Sequence, residues 1–471
     1  MSQANSILSV LIAYKALLLF IGFWAQKRVN DQQDFFLGGR KLGPFVSALS
    51  YSASSSSAWQ LLGFSGIVVL IGVSAIWLLL GSFFGMLIAW FWVAPKLRKV
   101  SLQHNDLTLV DFICHESNGP SRRILASICA VVILISFALY VAAQFQGAGN
   151  LFSTSFNMPV AQGVIIGAVI IAIYTMLGGF WAVSVTDAVQ GVIMAFAALA
   201  LPIAAVIHIG GPSELLHSLQ QVASSEQLHL TGQTFGLIAM GVIVGNLAVC
   251  LGPLGQPHML VRFMAIRDDA AIRQGRKITV AWFLVVQLGI FIVGLSGIAM
   301  QSNYDNPENI FFILTTELFH PVVGGIIIAA ILSAIMSTAD SQLLVSASVL
   351  SHDLKLNERL KLSPLTLSRY AVIVMVFAAT LITLLAPEAI FSRALFAWTA
   401  LGAAFGPVVA LRMAGYSLPT SIKTTSICTG FVLAIGFYMA PNAPGDFAER
   451  VIPFACAFLI AWFGKKSIKQ H

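Results

Sequence analysis

The chain is predicted to be an all-α membrane protein of about thirteen transmembrane helices: one leading helix, two five-helix repeats inverted across the bilayer, and two trailing helices. Three observations predict it. Of 471 residues, 58% are hydrophobic and only 10% charged, against about 25% charged in an ordinary soluble domain. Apolar runs long enough to cross a bilayer recur from end to end. Two of those runs, five apart in order, carry interruptions, and because five is odd a five-span repeat is inverted.

The spans fall near 7–26, 44–71, 75–95, 124–152, 158–178, 184–208, 233–261, 278–300, 320–350, 370–386, 390–411, 424–440 and 451–464. Residues 1–471 form a single polytopic membrane domain, with 7–26 as leading helix, 44–208 as first repeat, 233–411 as inverted second repeat and 424–464 as trailing helices. The first span lacks the basic leader and small-residue cleavage site of a secretory signal, so it reads as a retained helix. The second is broken by SYSASSSSAW, six serines between Ser50 and Trp59. Hydroxyls at membrane depth point to a ligand site, since lipid tolerates free backbone groups only where they face protein or a polar cavity. In the fifth span, Gly163 and Gly167 have the small-xxx-small spacing of helix packing. The seventh is broken by LGPLGQPH, where Gly252, Pro253, Gly255 and Pro257 remove backbone donors or loosen the helix.

Charge orients the bundle, because Lys and Arg favour cytoplasmic loops. With the N-terminus outside, the inside loops and tail hold Lys27, Arg28, Arg40, Lys41, Lys96, Arg98, Lys99, Arg122, Arg123, Arg262, Arg267, Arg273, Arg276 and Lys277. They also hold Lys355, Arg359, Lys361, Arg369, Arg412, Lys423, Lys465, Lys466 and Lys469. Of the 26 basic residues only Arg393 and Arg450 fall outside, and Lys15 lies within the first span. The net charge of +7 therefore reports a multi-pass inner-membrane protein with a cytoplasmic C-terminus, and no nucleic-acid partner. Five scattered cysteines without CxxC spacing give neither a disulfide framework nor a thiolate metal site. No HExxH, Walker loop or GxSxG element is present, so the chain is not expected to be an enzyme.

Four runs in order, FFLGGRKLGPFVSALSYSASSSSAW, GQPHMLVRFMA, SAIMSTADSQLL and FAWTALGAAFGPVV, resemble the sodium/solute symporter family and are most similar to its sodium/proline branch. The resemblance implies a LeuT-type inverted-repeat core that works by alternating access. It also implies a sodium ion held between the second and ninth spans by the carbonyls of Ala53, Ser56 and Ala334 and the hydroxyls of Ser337 and Thr338. That ligand set makes chemical sense, since a hard cation takes oxygens and an unwound backbone frees carbonyls. Where the proline branch usually has an aspartate, this chain has Ser55. Asp187, which resembles a family aspartate near the inner exit, and Asp340, one turn after Ser337, are candidates for a second cation or a proton site, because carboxylates at membrane depth are costly and usually functional.

For the solute, Tyr140 matches a tyrosine of the proline branch. Gln144 lies one turn further on the same face, and Gln60 and Asn246 flank the two breaks. Amides and hydroxyls around Ser54 and Ser57 are placed to receive a carboxylate. Arg40, in the LGGR turn, is a candidate for gating, and Gly252, Pro253, Gly255 and Pro257 mark the hinge. Val249 and Pro253 stand where that branch has aromatics. The expected function is secondary active symport: the sodium gradient drives import of a small polar solute, an amino acid and by resemblance proline or a relative. Sodium is the only metal expected, with no organic cofactor. The partners are the solute and the lipid bilayer, with no obligatory protein partner. The alternatives are a proton-coupled symporter of the same fold and a solute-binding, transporter-like sensor.

Overall fold

The computed structural model describes residues 3–26, 32–177, 179–301, 305–356, 360–441 and 443–467. All thirteen segments expected to cross the bilayer are helical, from Gln3–Gln26 to Phe447–Gly464. Among the described residues, eleven helices are long and apolar enough to span a membrane. That count takes the second half of the second span and the third span as one run, Trp59–His104, and omits the shorter Val160–Met176 and the half-helix Pro44–Ser55.

The helices overrun the apolar segments. The fourth is Gly119–Phe156 and the eighth Asp269–Ala299. Hydropathy marks only the turns in apolar surroundings, whereas the backbone ladder continues into the wet ends until a cap stops it. Asn157, left-handed at φ 52°, ends the fourth span. Asp268 starts the eighth by accepting from the Ala271 N–H.

Both expected breaks are present. The second span is helical over Pro44–Ser55, leaves helical geometry at Ser56 (φ −101°, ψ 70°) and resumes through a wide turn, Trp59–Phe64, into Ser65–Ile71. The seventh runs as Gly236–Leu247, tightens to a 3₁₀ helix over Ala248–Gly255, breaks at Gln256 (φ −85°, ψ 104°) and restarts as Pro257–Ala265. Pro257 occupies the first turn, where its missing N–H costs nothing.

The eleventh span, Ile390–Met413, lies directly on this second break. A Cβ at Gly252 would sit 1.7 Å from Trp398 Nε1, and one at Gly255 2.1 Å from the Leu401 carbonyl. The contact is pinned by Trp398 Nε1 donating to the Val249 carbonyl (3.2 Å) and Gln256 Nε2 donating to the Trp398 carbonyl (2.9 Å). Gly163 and Gly167 have the packing role expected of them, against Gly149 and Ala148 of the fourth span. The leading helix packs on the ninth span, Pro321–Ser348, through Tyr14 Oη and Ser333 Oγ (2.7 Å) and through Lys15 on the Met336 sulfur.

The basic loops converge on one end of the bundle. Arg40 ties the lead-in of the second span to Ser101, to the Asp106 carbonyl (2.7 Å) and to the Met264 carbonyl (3.0 Å). Arg98 holds Asp269 (2.9 Å), and Lys423 donates to the Ile113 carbonyl (3.0 Å). Arg393 and Arg450 lie at the opposite end, where Gln227 Nε2 also caps the Val69 carbonyl (2.7 Å). Arg262 corrects the loop reading: it lies on the half-helix Pro257–Ala265 and is 1% exposed. Lys27, Arg28, Arg359 and Lys469 lie outside the described residues, as does position 178 at the end of the fifth span.

The contact between the eleventh span and the break predicts a selective glycine effect. Gly255→Ala is expected to lower the apparent unfolding temperature of the purified protein, at a cost of about 1–3 kcal/mol for overpacking. Gly22→Ala, with nothing within 4 Å of the new methyl, is expected to leave it unchanged in the same melt.

Candidate functional site

The end of the half-helix Pro44–Ser55 leaves carbonyls free beside the ninth span, and the ninth span answers with hydroxyls. Ser337 Oγ lies 3.0 Å from the Ala53 carbonyl and 3.3 Å from the Ala334 carbonyl, and Thr338 Oγ1 lies 3.1 Å from the Ser54 carbonyl. Ala53, Ser56, Ala334, Ser337 and Thr338 are all fully buried. Ser56 sits at the unwound turn itself, and its hydroxyl has no partner. A sodium-sized ion, close to calcium in radius, takes oxygens at about 2.3–2.6 Å, which sets neighbouring ligands about 3.3–3.7 Å apart. The oxygens here stand a few tenths of an ångström tighter, so a cation could enter only with the hydroxyl hydrogens turned outward and the two spans slightly parted. Ser55, where an aspartate was the family expectation, turns its hydroxyl back to the Ser52 carbonyl (2.9 Å).

Directly beside this oxygen set, Asp187 of the sixth span (Phe180–Ile209) meets Arg262. Arg262 Nη2 lies 2.6 Å from Asp187 Oδ2, with both side chains out of solvent. Ser50 and Ser54 donate to the same carboxylate oxygen at 2.8 and 3.1 Å. The guanidinium also donates to Ser50 Oγ (2.7 Å), Ser54 Oγ (2.6 Å), Ser341 Oγ (2.7 Å) and the His258 carbonyl. The network therefore joins the second, sixth, seventh and ninth spans. It decides the place of two predicted residues. Asp187 has a guanidinium as its cation, and Ser54 belongs to this network and to the Ser337 carbonyl (3.0 Å), not to a solute cleft. Asp340 is buried beside it, taking Ser341 Oγ on one oxygen (3.3 Å) while the other has no partner. Beyond Arg262, a cavity of about 20 Å³ lined by Ser341, Leu344 and Thr108 leads toward the basic end.

On the other side of the break, three predicted residues come together. Gln144 Oε1 accepts from the Ala58 N–H (3.0 Å), and Ser57 Oγ donates to Tyr140 Oη at 3.4 Å. The fourth span thus caps the amides that the unwound turn sets free. Next to them is a small space of about 10 Å³ between Ser55, Trp59, Gln60, Pro253, Gln287 and Trp398, room for about one water. Gln60 Nε2 and Gln287 Nε2 are buried along it without a partner. Gln287, on the eighth span, escaped the sequence reading because a single glutamine within a span carries no signal of which way it faces.

Asn246 is a correction. It precedes the 3₁₀ segment by two residues and so stands ten residues from the Gln256 break, roughly 15–20 Å along the helix. There it accepts from Arg450 Nη1 (2.6 Å) and lines a cavity of about 340 Å³ at the end opposite the basic loops, together with Glu226, Gln227, Phe391 and Asp446. Glu308, also unforeseen, accepts from the Ile390 and Phe391 amides (3.0 and 2.9 Å) and so caps the eleventh span. Burial raises its carboxyl above the ordinary range.

The sequence profile of the Sodium:solute symporter family matches residues 35–415. The chain is 37% identical to the osmoregulated proline transporter OpuE of Bacillus subtilis (strain 168), over 86% of this chain and 83% of that protein. It is 35% identical to sodium/proline symporter 2 of Staphylococcus saprophyticus, over 90% of this chain and 84% of that protein. Among solved structures, it superposes on a Na⁺-coupled sialic acid symporter in a substrate-bound, outward-open state with a TM-score of 0.80, at 16% identity, covering 98% of this chain and 99% of that one. MhsT in complex with L-phenylalanine is also similar, with a TM-score of 0.59 at 13% identity, covering 90% and 99%. These likenesses establish the LeuT-type fold.

The Arg262–Asp187 pair predicts an asymmetric pattern of damage. Arg262→Met strands a buried carboxylate and is expected to cost about 3–5 kcal/mol, read as a drop in the unfolding temperature. Adding Asp187→Asn is expected to recover most of that loss, because the uncompensated charge is gone.

Proposed function

This chain belongs to the Sodium:solute symporter family, and we propose that its coupled solute is proline or a closely related amino acid. Sodium-coupled solute import is the family's activity. The proline reading rests on relatives above 30% identity that are named as proline transporters. The observation that carries the mechanism is the set of oxygens from Ala53, Ala334 and Ser337, with Thr338 beside it, closed across the second and ninth spans.

The solute site would open at the space beside the unwound turn, which as it stands has room for about one water and must widen to admit an amino acid. Its carboxylate would be received by the Gln60 and Gln287 amides, which have buried N–H groups to spare. Tyr140 and Gln144 hold Ser57 and Ala58 of the same turn and so would couple solute binding to the fourth span. Sodium holds the two spans together with the outer cavity open; solute completes the core; parting of the spans toward the basic end then releases the ion past Asp187 and Arg262. With Arg262 already neutralising Asp187, one sodium per cycle is the stoichiometry the charges favour. One sodium falling through about 100 mV supplies roughly 2.3 kcal/mol and a tenfold gradient about 1.4, enough for a few hundredfold accumulation. The orientation that fits is the basic end in the cytoplasm of a bacterial cell, with the C-terminal tail there and the N-terminus outside. The repeats run over 44–208 and 233–411.

The test is uptake of labelled proline and related amino acids into proteoliposomes, with an inward sodium gradient at fixed pH. Sodium-stimulated accumulation is expected; accumulation driven only by a pH gradient would replace sodium with a proton and direct attention to Asp340. Thr338→Ala is expected to raise the half-saturating sodium concentration about tenfold, the equivalent of 1.4 kcal/mol. Gln287→Leu is expected to raise the solute KM about 10- to 100-fold at saturating sodium, as loss of a hydrogen bond to a charged group costs about 1.5–3 kcal/mol.

A further inference from the structure

At the basic end, away from the ion and solute sites, three metal-ligating side chains from two elements converge. Asp111 lies on the helix Leu109–Cys114, whose start Thr108 caps. His352 and Asp353 lie in the wide turn Val349–Asp353 that ends the ninth span. His352 Nε2 is 2.8 Å from Asp111 Oδ2, Thr108 Oγ1 donates to Asp353 Oδ1 at 2.7 Å, and one ligand atom from each of the three lies within 4.8 Å of the others. Asp353 Oδ2 is buried with no hydrogen-bond partner among the described residues. Arg122 reaches Asp111 Oδ1 at 3.2 Å from a half-exposed position, and the Leu107 amide donates to Asp111 Oδ2. Arg122 is thus paired with Asp111 alone, and no cation contacts Asp353 among the described residues.

We propose that Asp111, His352 and Asp353 form a binding site for a divalent transition metal of the zinc class. An imidazole with two carboxylates suits zinc and its neighbours better than magnesium or calcium, which prefer oxygen alone. Three protein ligands leave a fourth position for water. Metal–ligand bonds of about 2.0–2.2 Å in a tetrahedron place ligand atoms about 3.3–3.6 Å apart. The metal therefore displaces the proton now shared between His352 and Asp111, and that contact widens by about half an ångström. Resting on the alternating-access reading above, the bound metal ties the ninth span to the helix after the third span and slows the inward opening.

The test starts with the full-length purified protein, without sodium or solute, titrated with Co²⁺ and then Zn²⁺. The site predicts one equivalent of cobalt with the visible absorption of a four-coordinate ion, displaced by zinc. Affinity falls at least tenfold in His352→Ala and in Asp353→Asn, while both variants retain the wild-type melting curve or at least its monodisperse elution. Absence of saturable binding overturns the proposal. So does binding that survives His352→Ala but is lost in His104→Ala, which would move the metal to the neighbouring His104–His115 ring pair. In proteoliposomes, zinc on the basic side is expected to slow solute counterflow several-fold in the wild type and not in His352→Ala. Binding at His352 with undiminished counterflow overturns the clamp. A protein that binds metal but moves no solute would fail the transport reading instead, so the two are separable.

Discussion

The buried Arg262–Asp187 pair is the constraint on which the rest of the core depends. Two charges at membrane depth are tolerated because each offsets the other and because Ser50, Ser54 and Ser341 add hydrogen bonds around them, although Asp187 Oδ1 has no partner among the described residues. The serine cluster that interrupts the second span is thus shared between two tasks. Ser50 and Ser54 point their hydroxyls at the ion pair, while the carbonyls of the same turn face the ninth span. Because Arg262 sits on the half of the second broken helix nearer the basic end, the pair also sets how the two repeats meet: the second and sixth spans come from one, the seventh and ninth from the other.

A break in a transmembrane helix is admissible only where other groups take up the freed backbone, and each of the two breaks has its own provider. Gln144 from the fourth span accepts the Ala58 amide at the first. At the second, the eleventh span approaches so closely that Gly252 and Gly255 cannot carry a side chain, and Trp398 and Gln256 exchange hydrogen bonds with the backbone across the contact. The breaks are rigidly supported on one side and polar on the other, which is what a hinge next to a ligand requires. Glu308, capping the eleventh span from the connection before the ninth, extends the same support toward the end opposite the basic loops.

The bundle order, the two interruptions and the segregation of basic residues to one end were all legible in the chain, because each is a local property. Hydropathy is summed over a run, proline and glycine act on their own turn, and loop charge follows from the order of spans. Helix ends were less legible, since ladders continue past the apolar stretch until a residue such as Asn157 or Asp268 caps them. The oxygens around Ser337 were anticipated through a recurrent motif and not through spacing alone.

What only the tertiary structure decided is which polar group faces which. Arg262 read as a loop cation and became the partner of Asp187; Ser54 read as a solute ligand and became part of that pair's network; Asn246 read as a cleft residue and lies beside Arg450 in the cavity at the end opposite the basic loops. Gln287 carried no signal at all and lines the central space. The physical reason is common to all four. A sequence specifies that a span is helical and how long it is, but a residue on a helix turns through about a hundred degrees per step. Which side chains meet is set by the rotation and depth each helix adopts when its neighbours pack against it.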